Sequence, residues 1–204
     1  MAFRLHRGDL PDDITFSGAV AFDTETMGLN PHRDRLCLVQ ISGGDGNAEL
    51  VQILPGQTSA PNLERLLRDK SVTKLFHFAR FDVAVLLKTF GVMAEPIWCT
   101  KIASRLVRTY TDRHGLKDLT REMLGVEISK QQQSSDWGAD THTEAQLAYA
   151  ASDVLYLHAL REKLQVLLDR EGRTALAEAC FAFLPIRAAL DLSGFQDQDI
   201  FSHS

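Results

Sequence analysis

Gly18-Ala-Val-Ala-Phe-Asp23-Thr-Glu25 decides how this chain is read. Val20, Ala21 and Phe22 form an apolar run of the kind found in a strand buried on both faces. Asp23 and Glu25 close it, and alternate residues of a strand share a face, so both carboxylates point the same way. Acids at the carboxyl end of such a strand lie at the rim of a sheet, where ligands of α/β proteins bind. Two further acidic stretches follow in order. Asp82 ends His77-Phe-Ala-Arg-Phe-Asp82 and stands early in an apolar-periodic helix (Val83, Leu86, Leu87, Phe90) that stops at Gly91. Tyr149-Ala-Ala-Ser-Asp153 puts a phenol and a carboxylate four residues apart, on one face of a helix. Singly, each acid reads as an ordinary surface residue. Together, the four carboxylates and one phenol suit metal-assisted cleavage of a phosphodiester. Hard cations such as Mg²⁺ take oxygen ligands. Two of them about 3.5–4 Å apart stabilise both the attacking and the leaving oxygen of an in-line displacement.

Outward from this stretch, residues 17–22 read as the first strand, and 36–42 and 48–54 as two more joined by the turn Gly43-Gly-Asp-Gly-Asn47. A helix from about Pro61 carries Leu63, Leu66 and Leu67. Residues 74–78 and 96–99 are the fourth and fifth strands. Thr100 reads as the cap of a helix to about Val107, and a further helix runs from Leu116 to Leu124 and stops at Gly125. Residues 129–138 are polar and aperiodic, an ordered loop. The longest helix spans about 143–170, and a final one spans about 174–192 with Pro185 as a kink or break. The expected fold class is α/β, a mixed five-stranded sheet flanked by helices, with a C-terminal helical extension over about 173–204. The whole chain, 1–204, reads as a single domain.

Composition narrows the function classes. Of 204 residues 45% are apolar, enough for a sizeable core, and the formal net charge is −5. Proteins that wrap long nucleic acid are usually basic, so a nucleic-acid partner here is short or held locally. Two bound divalent cations would bring −5 to −1. Cys37, Cys99 and Cys180 are widely separated, which argues against a disulfide framework or a structural zinc and for a reducing compartment. The N-terminus has no apolar core like that of a signal peptide, and no apolar run is long enough to span a bilayer. The expectation is a cytoplasmic protein with no membrane partner. The final helix carries Leu176, Ala179, Cys180, Phe181, Phe183 and Leu184, more apolar surface than a terminal helix normally leaves exposed, which reads as self-association or as packing on its own domain.

Phe22-Asp-Thr-Glu25, His77-Phe-Ala-Arg-Phe-Asp82 and Tyr149-Ala-Ala-Ser-Asp153-Val-Leu-Tyr-Leu157 together resemble the three motifs of the DEDDy 3′–5′ exonuclease superfamily, in its ribonuclease D-like branch. Tyr149 marks the tyrosine subclass. Lys130-Gln-Gln-Gln-Ser-Ser-Asp-Trp137 is similar to a segment upstream of the third motif in that branch. Pro31-His-Arg-Asp-Arg-Leu-Cys37, Arg108-Thr-Tyr-Thr-Asp-Arg-His-Gly-Leu-Lys117 and Asp199-Ile-Phe-Ser-His-Ser204 look most like the compact bacterial nano-RNase C family. The resemblance implies a ribonuclease H-like fold and two divalent ions, Mg²⁺ or Mn²⁺, held by Asp23, Glu25, Asp82 and Asp153. Tyr149 completes the implied catalytic set. A free tyrosine, with a pKa of about 10, is neutral near pH 7, so its implied role is orientation of the attacking water by hydrogen bonding. The implied activity is 3′–5′ hydrolysis of very short RNA, especially 5′-phosphorylated diribonucleotides, to nucleoside monophosphates, and the implied assembly is a homo-oligomer, an octamer. The chain leaves no room after the motifs for the helical RNA-binding domains of full-length ribonuclease D, which points the same way. Two other readings stay open: a general exonuclease trimming longer RNA or single-stranded DNA, and a non-catalytic, metal-dependent nucleic-acid-binding module.

Substrate candidates surround these motifs. Thr24 lies between the two acids of the first, and Met27, Gly28 and Leu29 follow it, small or apolar residues suited to wedge against a terminal base. His77 and Phe78 suit sugar contact or base stacking; core packing at a strand end is the alternative for Phe78. Lys101, Arg105 and Arg108 recur at helical spacing, with Tyr110, Arg113 and His114 directly after. This segment reads either as a solvated charged face or as a phosphate grip. The resemblance implies the latter, with Arg113 and His114 on a 5′ phosphate, across a subunit boundary. Gln133, Ser135 and Trp137 read as closing over the site, and Trp137 equally as a core anchor.

Overall fold

Apolar runs build the middle of the sheet. Strands β2 (Ala19–Thr26), β3 (Leu36–Ser42) and β5 (Thr73–Phe76) carry Val20, Phe22, Leu38, Val39, Ile41 and Leu75, all fully buried. In the computed structural model, which describes residues 2–129 and 131–203, they join β1 (Ala2–Arg7), β4 (Asn47–Gln52) and β6 (Ile97–Cys99) in one six-stranded sheet of order β1-β4-β3-β2-β5-β6. Lys130 and Ser204, ends of two of the segments quoted above, lie outside the described residues, as does Met1. β3 is antiparallel to both β2 and β4, whereas β1 on β4, β5 on β2 and β6 on β5 are parallel.

Helices α1 (Pro61–Arg68), α2 (Ala79–Phe90), α3 (Thr100–Val107), α4 (Leu116–Leu124), α5 (Glu144–Leu155), α6 (Leu157–Arg170) and α7 (Thr174–Leu190) flank the sheet. α5 packs on β2, β3 and β4; α6 packs on β2 and β5 and against α3 and α4; α2 packs on β2, β3, β5 and β6, with α7 against it. A capping box starts α5: Gln146 N donates to Thr143 Oγ1 at 3.2 Å and Thr143 N donates to Gln146 Oε1 at 2.9 Å. The first turn of α2 is anchored from far along the chain. Arg80 Nε and Nη2 donate to the two oxygens of Asp191 at 2.6 and 2.8 Å, and Arg187 binds the same carboxylate. Against the cost of burial, these arginines hold Asp191 below the usual carboxylate range.

The mixed sheet and flanking helices agree with the expected fold class, and several boundaries differ. The sheet has six strands, not five, because Ala2–Arg7 adds a parallel edge strand whose alternation (Phe3, Leu5) was there to be read. β2 continues through its acids to Thr26. β5 stops at Phe76, so Phe78 is outside it. The expected long helix is two, broken at Tyr156, because its two halves pack on different neighbours. α7 runs through Pro185 and gives way to a π-helical turn at Asp191–Phe195. Thr100 opens α3 rather than capping it, and its hydroxyl donates to Phe76 O at 3.1 Å. All three cysteines are free, with Cys37 and Cys99 buried. Among the described residues no helix is long and apolar enough to cross a membrane.

Candidate active site

Three elements meet at one end of β2. The strand supplies Asp23 and Glu25 on one face, and α5 brings Asp153 to them: carboxylate oxygens of the three lie within 4.8 Å of one another. α2 contributes Asp82, buried at 4% exposure, whose Oδ1 accepts a hydrogen bond from Thr24 Oγ1 at 2.7 Å. The four acids and Tyr149 line one cleft of about 650 Å³. Converging carboxylates with no sulfur or imidazole among them fit a hard divalent cation.

Their electrostatics show the cost of that arrangement. Burial, then repulsion from Asp82, Asp153 and Glu25, raises Asp23 well above the usual carboxylate range. Burial, then Asp153 and Asp82, pushes Glu25 up to about 9. Burial raises Asp82 to about 7, with the Thr24 hydroxyl opposing the rise. Tyr149 is also raised, first by burial and then by the surrounding carboxylates. Its phenol stays protonated at neutral pH, the state that can donate a hydrogen bond. A cation binding here would release protons from the acids.

The cleft walls gather most of the other candidates. Met27, Gly28 and Leu29 form its mouth, with Leu29 85% exposed. A side chain at Gly28 would displace the Asp34 carboxylate. Phe78 adopts the left-handed conformation (φ 69°, ψ 44°) and is 45% exposed, which removes the core-packing alternative. Lys101 Nζ lies 4.2 Å from the centre of its ring. His77 Nδ1 is 2.9 Å from Thr100 Oγ1, and burial pulls this imidazole down to about 3, so it is neutral. Gln133 and Ser135 line the same cleft. Trp137 is both wall and anchor: buried, with its ring 6.2 Å from that of Tyr149, on a loop whose Gly138 carbonyl accepts from Arg35 at 3.0 Å. Phe81, Lys117, Ile128 and Ser129 also line it, although the sequence reading passed them over. Lys117 sits in a segment that was singled out, but nothing local indicated that the start of α4 turns toward β2.

Arg105, Arg108, Tyr110, Arg113 and His114 do not line the cleft. Arg108 is a correction. Only 1% of it is exposed, so it cannot belong to a solvent-facing basic surface. Its guanidinium donates to Ser104 Oγ at 3.1 Å and to Arg113 O at 2.7 Å, and pairs with Glu122. It braces the loop between α3 and α4. That loop carries Tyr110, 78% exposed, and Arg113, also exposed, while His114 Nδ1 lies 2.9 Å from Ser104 Oγ.

Residues 10–169 match the model of a 3′–5′ exonuclease family. Ribonuclease D of Gluconacetobacter diazotrophicus is 38% identical over 154 residues, covering 76% of this chain and 39% of that protein. The chain thus spans about two fifths of the length of the curated relatives it matches. NrnC of Brucella melitensis, solved with bound Mg²⁺, is 61% identical with a TM-score of 0.96 over 100% of both chains. The same protein bound to pGG is 62% identical, again with a TM-score of 0.96 over 100% of both.

Two expectations follow from this geometry. In chelator-treated protein, the folded state keeps protons on Asp82 to about pH 7 and on Glu25 to about pH 9, whereas the unfolded chain loses them near 3.8 and 4.5. Because the folded state then binds more protons, its stability falls as pH rises through this window. Thermal unfolding should show Tm dropping between pH 6 and 9, and dropping less in Asp153→Asn. A flat profile would mean that the acids are ionised without penalty. Separately, Arg108→Ala should cost about 2–4 kcal/mol, a Tm loss of roughly 4–15 °C, against less than about 0.5 kcal/mol for Arg105→Ala. Equal, small losses in urea titrations would return Arg108 to the solvent-facing set.

Proposed function

Because the chain belongs to the 3′–5′ exonuclease family, in the ribonuclease D-like branch of the DEDDy superfamily, we propose that it is a metal-dependent 3′–5′ exoribonuclease of very short RNA, especially 5′-phosphorylated diribonucleotides. The observation that carries this reading is the convergence of Asp23, Glu25 and Asp153, within 4.8 Å, beside Asp82 and Tyr149 in one cleft. In this reading Asp23, Glu25, Asp82 and Asp153 hold two divalent ions, Mg²⁺ or Mn²⁺. When bound, these ions stabilise charge on the attacking and leaving oxygens. Tyr149, protonated, holds the attacking water in line with the scissile phosphorus. The water oxygen bonds to phosphorus as the bond from phosphorus to the neighbouring O3′ breaks. Water gives up a proton and O3′ gains one, so a 5′-phosphorylated diribonucleotide yields two nucleoside monophosphates. Met27 and Leu29 press on the terminal base, Phe78 with Lys101 flanks the second nucleotide, and Thr24, Gly28, His77, Gln133, Ser135 and Trp137 shape the walls around sugar and phosphate.

Short substrate is supported by the 62% identity to a protein bound to pGG, a 5′-phosphorylated pair of guanosines. Arg113, His114, Tyr110 and Arg105 do not line the cleft of their own chain, and in this reading they serve as a 5′-phosphate clamp for a neighbouring subunit. A homo-oligomer, an octamer, supplies one. The exposed apolar side chains of Leu176, Ile186, Ile200 and Phe201 on the C-terminal segment support self-association, while Phe181 and Leu184 pack within their own chain. Free thiols fit a reducing, cytoplasmic setting.

Asp153→Ala should remove hydrolysis of a labelled diribonucleotide while the circular dichroism spectrum stays unchanged, and EDTA should do the same to the unaltered protein, reversed by Mg²⁺ or Mn²⁺. Near-normal turnover in folded Asp153→Ala would refute the metal-ligand assignment, whereas no metal-dependent hydrolysis by the unaltered protein would leave the non-catalytic binding reading. On an RNA ladder of two to seven nucleotides, Arg113→Ala should lower kcat/KM for the dimer by roughly 10-fold or more, the size of a lost charge-assisted hydrogen bond, with much less effect on the heptamer. Equal efficiency on both lengths, and equal response to the substitution, would favour the general exonuclease.

A further inference from the structure

Strand alternation turns Asp23 and Glu25 to one face of β2 and Thr24 to the other. The contacts agree with that geometry. Asp23 and Glu25 meet Asp153 of α5, whereas Thr24 meets Asp82 of α2. Asp82 therefore reaches the cleft from the opposite side of the strand to the three acids that converge. Its Oδ1 accepts from the Thr24 hydroxyl at 2.7 Å, and the backbone of Thr24 and of Asp82 itself also hydrogen-bonds this carboxylate. Thr24 is 7% exposed and Asp82 is 4% exposed, so water does not compete freely for this bond.

We infer that Thr24 is a positioning residue: its hydroxyl occupies Asp82 Oδ1 and so fixes the carboxylate plane, leaving Oδ2 as the oxygen offered to a cation. This rests on the reading of Asp82 as a metal ligand and deepens it. Without the hydroxyl, the Asp82 carboxylate keeps only the backbone contacts of Thr24 and Asp82 against rotation about its Cβ–Cγ bond, a broad and soft torsion for aspartate. A ligand that must be ordered at the moment of binding holds its ion less well. Partners that orient metal ligands are worth 10–100-fold in metal affinity or activity when removed. Valine keeps the branched shape and deletes only the hydroxyl. Serine keeps the hydroxyl and deletes only the methyl.

The test compares Thr24→Val, Thr24→Ser and Asp82→Asn in the full chain. Calorimetric titration with Mn²⁺ in the absence of RNA is read beside kcat and KM for a diribonucleotide at saturating Mg²⁺. The expected result for Thr24→Val is roughly 10-fold weaker binding of Mn²⁺ or more and a kcat lowered by a similar factor, with KM within about threefold. Thr24→Ser should restore both, and Asp82→Asn should be at least as damaging as Thr24→Val. Full Mn²⁺ affinity and full kcat in Thr24→Val, with Asp82→Asn impaired, overturn the inference and leave the metal-ligand reading of Asp82 standing. Unimpaired Asp82→Asn overturns both. A raised KM with unchanged Mn²⁺ affinity in Thr24→Val makes Thr24 a substrate contact instead. If Thr24→Val fails to fold, Thr24→Ser against Thr24→Ala separates the hydroxyl from the methyl by the same two measurements.

Discussion

Four carboxylates cannot share a buried cleft unless something holds them against their own repulsion. Here the holding is done at a distance from the acids. β2 is paired with β5 over Ala19–Ala21 and with β3 through Asp23 and Glu25, so the two acids cannot move without breaking the β2–β3 ladder. α5 is started by the Thr143–Gln146 capping box and lies across β2, β3 and β4, which fixes Tyr149 and Asp153. α2 is pinned at its first turn by Arg80 on Asp191, itself clamped by Arg187. The local cost appears as raised proton affinities at Asp23, Glu25 and Asp82. A site that retains protons near neutrality is a site that a divalent cation can improve, since the cation supplies the charge that the protons supply in its absence.

What the sequence disclosed and what it concealed divide along a physical line. The apolar run into Asp23 and Glu25, the Leu36–Ser42 strand and the helix ending at Gly91 were legible, because each is set by burial or by a left-handed glycine that local pattern reports. The convergence of acids from β2, α2 and α5 was legible only as an ordered set, since no spacing along the chain measures a distance across a sheet. The edge strand Ala2–Arg7 was missed because four of its six residues are exposed, Leu5 among them, which dilutes the apolar signal. The break at Tyr156 was invisible to periodicity, because the stripe of leucines continues on both sides while the packing partners change from β3 and β4 to α3 and α4. The left-handed Phe78 carried no signal either: nothing but tertiary context holds an aromatic residue there.

The basic segment shows the same limit in its sharpest form. Lys101, Arg105 and Arg108 share a helical spacing, and from sequence they are one face. In the fold they are three different things: Lys101 against the Phe78 ring at the cleft, Arg105 exposed beyond it, and Arg108 buried under the loop it braces. The difference arises because Glu122 of α4 lies close enough to pair with Arg108, and because the loop carbonyl of Arg113 turns inward to it. Arg108 therefore acts on any substrate only through the loop that displays Tyr110 and Arg113.

With Arg108 removed from the set of available charges and His77 held neutral by burial, Lys101 and Lys117 are the cationic side chains among the described residues lining the cleft. Two ammonium groups facing four acids make a poor attractant for a polyanion, and the chain as a whole carries −5. On the proposed reading, cations bound by the acids reverse the local sign of the cleft, and metal occupancy would govern capture of a polyanion as well as chemistry. Under that reading the cleft walls offer the additional phosphates of a long RNA no cation besides these two lysines and the bound metals. A short one gains from any single cationic group placed at the distance of its 5′ end. The proposed selectivity for length would then follow from where positive charge is scarce as much as from where it is present.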